Sequence, residues 1–182
     1  TGGLREVLSL APRARLYLHP AALEPRYSVG ADEAKSAAMQ LEAKTCVMEL
    51  PLQQRHWLFR PCQPQSAVGL TGPIPRVTAF EDVGGPFYLD PAAEKPDPIE
   101  DDTALWIRTN RGLVVCTGCC HAGLVNTVRY VRKAAGSSRI RAIIGGLHLA
   151  NASRQRLEKT CQALADWDVE TVVPCHCTGD QA

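Results

Sequence analysis

The sequence lacks long apolar runs and has no excess of charge of either sign. No apolar run approaches the roughly 18 residues that a membrane-spanning helix needs. The 182 residues include 20 basic and 19 acidic side chains, for a net charge of +1, so we expect no nucleic-acid-binding surface and no membrane attachment. The first residues also lack the basic and apolar segments of a signal peptide. The length suits a single domain over residues 1–182 with its own core.

The eight cysteines do not have the pattern of a secreted disulfide framework. Five of them lie in two tight clusters beside histidines, and Cys119 and Cys120 are chain neighbours, between which a disulfide is strained. We therefore expect a reducing, cytoplasmic setting in which the thiols are free or bound to metal.

The first 102 residues have weak periodicity. Residues 31–44 are rich in alanine and predict a helix, whereas Thr45–Leu50 has a strand-like composition. Residues 84–102 combine several prolines with acidic side chains and show no apolar periodicity. They predict a lid loop.

From residue 103 onwards the pattern becomes regular and alternates between strands and helices. Ser153 is placed to cap the second helix. Such an alternation predicts an α/β fold with helices covering a sheet. The predicted strands are Ala104–Arg108, Leu113–Thr117, Ile140–Ile144 and Thr171–Pro174, and the predicted helices are 122–135 and 153–166.

Three corners of this α/β region carry chemically active side chains. His121, His148 and His176 each follow an apolar run, at nearly equal spacing along the chain. If each strand–helix unit has this length, successive strand ends lie side by side and the imidazoles converge at one edge of the sheet. Three imidazoles can hold a catalytic divalent ion with an open coordination position.

The same corners allow a second interpretation, in which thiols hold the ion. The Cys116–His121 cluster, together with Cys175–Cys177, has spacings that suit a closed zinc or iron–sulfur site. Backbone N–H groups at Gly118 can bind a phosphate or carboxylate, although a tight turn explains this glycine equally well. Asp102 is placed to orient a metal-bound histidine, although a solvated loop end also explains this residue. Asn126 is placed to support the turn.

These residues resemble the metallo-β-lactamase superfamily, and more narrowly its 7,8-dihydropterin-6-yl-methyl-4-(β-D-ribofuranosyl)aminobenzene 5′-phosphate synthase branch. The resemblance covers roughly residues 70–182. The matching stretches are Leu70–Arg76 with Phe80–Glu81, Asp101–Leu105, Gly118–Asn126, Gly145–Leu149 and His176–Gly179.

The resemblance implies an αββα sandwich that is incomplete at its N-terminus. The superfamily motif His-x-His-x-Asp-His normally stands directly before a Thr-Gly-Gly-Leu segment, and this chain starts with Thr1–Leu4. We therefore expect the motif and its strands to lie upstream, in a longer protein. By the same resemblance, His121 and His176 are metal ligands, and His148 is a third ligand or a catalytic, substrate-facing group.

The resemblance also implies a cytoplasmic enzyme with one or two divalent ions, zinc first, with magnesium, manganese or iron as alternatives. Its substrate is a small molecule, and the branch reaction joins a dihydropterin to an aminobenzene ribosyl phosphate. We assign Asp102 to catalysis and Gly118 and Asn126 to cofactor binding. Two alternatives stay open: a hydrolase of a phosphorylated or ester metabolite, and a truncated, non-catalytic metal-binding domain. An oligomer is compatible with the sequence.

Overall fold

The computed structural model describes residues 2–31, 33–137, 139–180 and 182. The helices are α1 (Leu4–Leu10), α2 (Leu41–Glu49), α3 (Leu124–Ala135) and α4 (Arg154–Asp166). The strands are β1 (Leu16–Leu18), β2 (Tyr27–Val29), β3 (Ala34–Ser36), β4 (Arg55–Trp57), β5 (Cys62–Gln65), β6 (Val68–Leu70), β7 (Phe87–Tyr88), β8 (Ala104–Thr109), β9 (Gly112–Thr117), β10 (Ile140–Gly146) and β11 (Thr171–Cys175). None of the helices in these ranges is long and apolar enough to cross a membrane.

The chain divides into two compact units. The first unit comprises Thr1–Phe59 and Pro86–Asp101, and the second comprises Arg60–Gly85 and Asp102–Ala182. The assignment of one domain to residues 1–182 stays a prediction. All of the predicted site residues lie in the second unit.

The first unit contains two small sheets. Strand β1 pairs with β4 in parallel, and β2 pairs antiparallel with both β3 and β7. The segment 84–102 is therefore not wholly irregular, because it supplies β7. Arg26 also holds this segment, with its guanidinium 3.1 Å from Asp97 and 2.7 Å from Asp101. The lid role of 84–102 stays a prediction.

Residues 31–50 contradict two of the sequence-based predictions. The helix expected over 31–44 is wrong: the structure has strand β3 there and begins helix α2 at Leu41. The strand-like interpretation of Thr45–Leu50 is wrong as well, because α2 continues to Glu49. Ala43 and Val47 are four residues apart and both buried, so this helix is fixed by its apolar face and not by local propensity.

The second unit is built on a six-stranded sheet with the order β11-β10-β9-β8-β6-β5. Strands β9, β10 and β11 run parallel, and β8, β6 and β5 continue the sheet in antiparallel pairing. The four predicted strands and two predicted helices of this region are confirmed, with ends shifted by at most a few residues. The expected side-by-side placement of the three strand ends is also confirmed.

The core of the second unit lies between this sheet and the helices. Helix α3 presents Leu124, Val128 and Val131 at helical spacing, each no more than 1% exposed. They pack with Val115 and Ile143 of the central strands. Each buried side chain of this kind contributes about 1.5–3 kcal/mol relative to exposure. This packing fixes the start of α3 close to the end of β9.

Candidate metal centre

The three histidine corners adjoin one another at the carboxyl ends of β9, β10 and β11. Thr117, at the end of β9, is paired with Gly145 of β10, and Gly146 is paired with Cys175 of β11. The Gly146 N–H donates to the carbonyl of Gly118 over 3.0 Å, which ties the first corner to the second. Ligand sites of open α/β sheets commonly form at such strand ends.

Each corner contains one non-glycine residue in the left-handed backbone region. These residues are Cys120 (φ 62°), His148 (φ 49°) and His176 (φ 54°). Such a conformation costs of order 1–3 kcal/mol and persists only where the surrounding structure imposes it. Its recurrence at three adjacent corners, twice at a histidine, is typical of a functional site.

The imidazoles of His121 and His148 are close together. Their ring centroids are 4.2 Å apart. His121 Nδ1 lies 2.9 Å from the carbonyl oxygen of Val83, and His148 Nε2 lies 3.0 Å from that of Gly84. A carbonyl can only accept, so these nitrogens carry the protons and donate. In the neutral form of each ring, the opposite nitrogen then holds the lone pair, which is the arrangement of metal-binding histidines.

The segment Glu81–Gly84, which we call the anchor segment, organises this pair. Its Val83 and Gly84 carbonyls hold the two rings, and its Glu81 carboxylate accepts from the N–H groups of Val125 (2.7 Å) and Asn126 (2.9 Å) at the start of α3. A buried carboxylate at a helix N-terminus satisfies backbone donors and is favoured by the helix dipole. The anchor segment thus fixes both the histidines and the helix that follows the first corner.

A buried arginine also binds the anchor segment. Arg156 of α4 is 1% exposed, and its Nη1 donates to the Asp82 carboxylate over 2.8 Å and to the Asp82 carbonyl over 3.2 Å. Burying an arginine is costly unless it is paired. The pairing therefore constrains the backbone of the anchor segment beside the two histidine-binding carbonyls.

Asp102 and Arg76 hold the turn that carries His121. The Asp102 carboxylate accepts from the Ala122 N–H over 2.7 Å, and Arg76 donates to the His121 carbonyl. Burial raises the pKa of the Asp102 carboxyl, against the opposing effects of the Ala122 hydrogen bond and of the His121 and Arg76 charges. The structure gives Asp102 a positioning contact, and its catalytic role stays a prediction.

The amide of Asn126 makes its hydrogen bonds inside the protein. Its oxygen accepts from the N–H groups of Val77 and Thr78, and its nitrogen donates to the Thr78 hydroxyl and the Ala122 carbonyl. These contacts support the turn, as the sequence suggested. Gly118 has open space where a side chain would stand. Cofactor binding by either residue stays a prediction.

His176 lies close to two thiols, and the three histidines do not form one group of mutually close donor atoms in the described ranges. One donor atom each from Cys119, His176 and Cys177 lies within 4.8 Å of the other two, and the described ranges contain no other group of three such side chains. The three predicted histidines therefore divide into a His121–His148 pair and a Cys119–His176–Cys177 group. The assignment of all three to metal stays a prediction. The larger thiol site, in which Cys116, Cys120 and Cys175 would also bind the ion, is not among the groups of close donor atoms in the described ranges.

Two of these donors, His148 and Cys119, have pKa values shifted towards the neutral form of the side chain. Burial, and then the nearby His121, lower the pKa of His148, so its ring is neutral at pH 7. Burial, and then Cys177, raise the pKa of the Cys119 thiol to about 11, so an ion that binds there must displace a proton. Imidazole and thiol donors are the set that zinc prefers. The residues present therefore fit the divalent ion that the sequence implied.

Sequence reasoning missed the anchor segment as the element that holds the histidines. Phe80–Glu81 was part of the resemblance, but Val83 and Gly84 act through backbone carbonyls, which leave no side-chain signal. Gly84 does carry a signal, because its φ is 81° and an added Cβ would lie 2.0 Å from the His148 ring. Only glycine permits this close approach.

Comparison with solved structures defines the class of protein. The structure aligns with the crystal structure of Tm1679, described as a metal-dependent hydrolase of the β-lactamase superfamily, with a TM-score of 0.72 and 31% identity. The match covers 92% of this chain and 61% of that one. The chain therefore has the metallo-β-lactamase fold, and the predicted α/β fold class is confirmed.

The curated relatives narrow the resemblance to one branch. The chain is 38% identical over 86 residues to the 7,8-dihydropterin-6-methyl-4-(β-D-ribofuranosyl)-aminobenzene-5′-phosphate synthase of Methanocaldococcus jannaschii, which is 47% of this chain and 29% of the relative. It is 34% identical, also over 86 residues, to an uncharacterised protein of the same organism, of which it matches 30%. The matches thus span about a third of these curated relatives. No protein-family model matches the chain. The resemblance to this branch of the superfamily is confirmed.

Proposed function

We propose that this chain forms part of the active site of a divalent-metal-dependent enzyme that acts on a small molecule. The His121–His148 pair carries the proposal, because two adjacent carbonyls fix both rings 4.2 Å apart with one lone-pair nitrogen each. Metal-binding histidines typically donate their second ring N–H to a backbone carbonyl or a carboxylate in this way. The relationship to an enzyme superfamily supports the same conclusion.

His121 and His148 would hold the ion, with His176 as a further donor. A bound divalent ion supplies Lewis-acid polarisation of the substrate or a lowered pKa of coordinated water, from 15.7 to about 7. The protein's own residues set the protonation state and the position of these ligands. Burial and His121 keep His148 neutral, and Asp102 fixes the turn backbone next to His121.

For the reaction, we favour a carbon–nitrogen coupling, in which the amine of an aminobenzene ribosyl phosphate displaces a leaving group from the methylene carbon of a dihydropterin and loses a proton. The support is the 38% identity to a synthase of that name, over a stretch of 86 residues. Hydrolysis of a phosphorylated or ester metabolite is the second candidate. The support for hydrolysis is the fold match over 92% of the chain to a protein described as a metal-dependent hydrolase.

The test of the metal pair is zinc binding by the full-length protein with His121→Ala or His148→Ala. We expect each variant to weaken zinc binding by more than about tenfold. Loss of a group that only supports a metal ligand already weakens binding by about 10- to 100-fold, and loss of a ligand should cost at least as much. His19→Ala is the matched control, because His19 lies in the first unit and caps the turn at Pro20. Unchanged zinc affinity in both site variants would contradict the proposal.

The reaction is tested by incubating the zinc-loaded protein with two substrate sets. One set pairs a dihydropterin that carries a leaving group on its methylene carbon with the aminobenzene ribosyl phosphate, and the other contains phosphoesters and carboxylic esters. Coupled product in the first set supports the synthase, and release of phosphate or alcohol in the second supports the hydrolase. Tight zinc binding with no turnover in either set would favour a non-catalytic metal-binding protein.

A further inference from the structure

We propose that Arg111, Arg139 and Arg141 form a binding site for a phosphate group, either free or carried by a small metabolite. The three guanidinium groups surround the carboxylate of Glu170. Its Oε2 accepts from Arg111 Nη2 over 2.9 Å and lies 3.7 Å from Arg141 Nε, and its Oε1 accepts from Arg139 Nη2 over 2.9 Å. Three positive charges and one negative charge leave two positive charges in excess. A phosphate monoester carries a matching charge of about −1.5 to −2 at pH 7.

The parallel strands bring these side chains to one edge of the six-stranded sheet. Arg111 directly precedes β9, Arg139 directly precedes β10, and Glu170 directly precedes β11. Because these three strands are parallel neighbours, their amino ends meet. The metal corners follow the opposite, carboxyl ends of the same strands, which is a separation of roughly 15–20 Å at about 3.3 Å per residue. The proposed phosphate site is therefore distinct from the candidate metal centre.

Two irregularities of the backbone direct the arginines to this place. Gly112 has a φ of 125°, and an added Cβ would lie 3.1 Å from Arg139 Cγ, so a side chain there would be strained and would crowd the stem of Arg139. The pairing of β9 with β10 shifts register between Ile140 and Ala142. Arg141 is thus the extra residue of a β-bulge. Bulges re-aim side chains and are frequent beside functional sites.

The arginines are open to a ligand from the solvent side. Their side chains are 37–67% exposed, whereas the side chain of Glu170 is 29% exposed. A ligand can approach from outside while Glu170 holds the guanidinium groups in place from within. Guanidinium groups suit phosphate because their planar pairs of N–H groups match its oxygens. A monoanion such as acetate would neutralise only half of the excess charge, so the site should prefer phosphate.

The experiment is a calorimetric titration of the full-length protein with inorganic phosphate, ribose 5-phosphate and acetate at constant ionic strength. We expect both phosphate compounds to bind more tightly than acetate. Arg111→Gln and Arg139→Gln should each weaken phosphate binding about five- to tenfold, between the effect of a strong exposed ion pair and that of a hydrogen bond to a charged group. Arg154→Gln is the matched control and should change nothing, because Arg154 is 92% exposed in an ion pair with Glu158 on α4. The tighter of the two phosphate ligands identifies the source of the group.

Two further variants distinguish the site from a purely structural ion-pair cluster and from the metal centre. Glu170→Gln should tighten phosphate binding about threefold or more, because it removes the negative charge nearest the ligand while the amide oxygen still accepts from an arginine. A structural cluster would lose thermal stability in this variant without binding phosphate. His121→Ala should leave phosphate binding unchanged, so failure of this site and failure of the metal pair give different results. Equal phosphate affinity in the parent and both arginine variants, or weaker binding in Glu170→Gln, would overturn the inference.

Discussion

At the residue scale, the first corner contains two glycines with different environments. Gly123 has a φ of 91°, and an added Cβ would lie 2.2 Å from the carboxyl carbon of Glu81. Gly118, five residues earlier, has no neighbour within 4 Å of such an atom and does not have a positive φ. The backbone of the corner therefore depends on glycine at position 123 and not at 118.

Gly123→Ala should lower the free energy of unfolding strongly, and Gly118→Ala should not. We expect a loss of about 1–3 kcal/mol from backbone strain at position 123, with a further loss of similar size from displacing Glu81. The change at Gly118 should stay within about 0.5 kcal/mol. Denaturant unfolding measures both values. Equal losses in the two variants would show that the contact with Glu81 does not fix this turn.

At the scale of elements, helices α3 and α4 begin in different ways. Ser153 caps α4 locally, as predicted, by accepting from the Arg156 N–H over 3.2 Å. Helix α3 has no cap from its own N-cap residue, Gly123. Its first donors are satisfied by Glu81, which lies more than forty residues earlier in the chain. The position of α3 is therefore coupled to the anchor segment and through it to the histidines.

Glu81→Gln should destabilise the protein by about 1–3 kcal/mol, because one buried backbone N–H loses its acceptor and the carboxylate charge is removed. Glu42→Gln is the matched control: Glu42 is in the first turn of α2, and its side chain is 63% exposed in an ion pair with Arg5. This change should cost less than about 1 kcal/mol. Thermal and denaturant unfolding compare the two. A larger effect at Glu42 would contradict the importance of the buried cap.

The regular elements from residue 103 onwards could be predicted because their patterns are strong. Strands such as Leu113–Thr117 are continuous apolar runs, and α3 repeats apolar residues at helical spacing. Residues 31–50 could not be predicted in this way. The alanines near β3 favour a helix locally, but pairing with β2 decides the structure. In α2, Thr45 and Val47 favour a strand, but burial of Ala43 and Val47 on one face decides for a helix.

The candidate site was predictable in its side chains and not in its backbone contacts. Equal spacing placed His121 and His148 at neighbouring strand ends, where the structure has them. The sequence did not show that His176 would face Cys119 and Cys177, because their meeting depends on the missing side chain of Gly146. Nor could it show the carbonyl contacts of the anchor segment, since any residue supplies a carbonyl.

At the scale of the whole molecule, every candidate metal donor lies in the second unit. Both the His121–His148 pair and the Cys119–His176–Cys177 group are contained in it, and the first unit contributes no residue to either group. Metal binding should therefore stabilise the two units unequally. Proteins open locally with different free energies, and a ligand suppresses only those openings that break its site.

Hydrogen exchange of the full-length protein with and without zinc tests this asymmetry. At a free zinc concentration 100 times the dissociation constant, binding stabilises the native site by about 2.7 kcal/mol, so openings that break it should be about 100-fold rarer. We expect slower exchange in the anchor segment and in the corners after β9 and β10, and no change in β2 and β3. His121→Ala should remove this slowing. Equal slowing in both units would show that zinc acts elsewhere, because no donor of either group lies in the strands of the first unit.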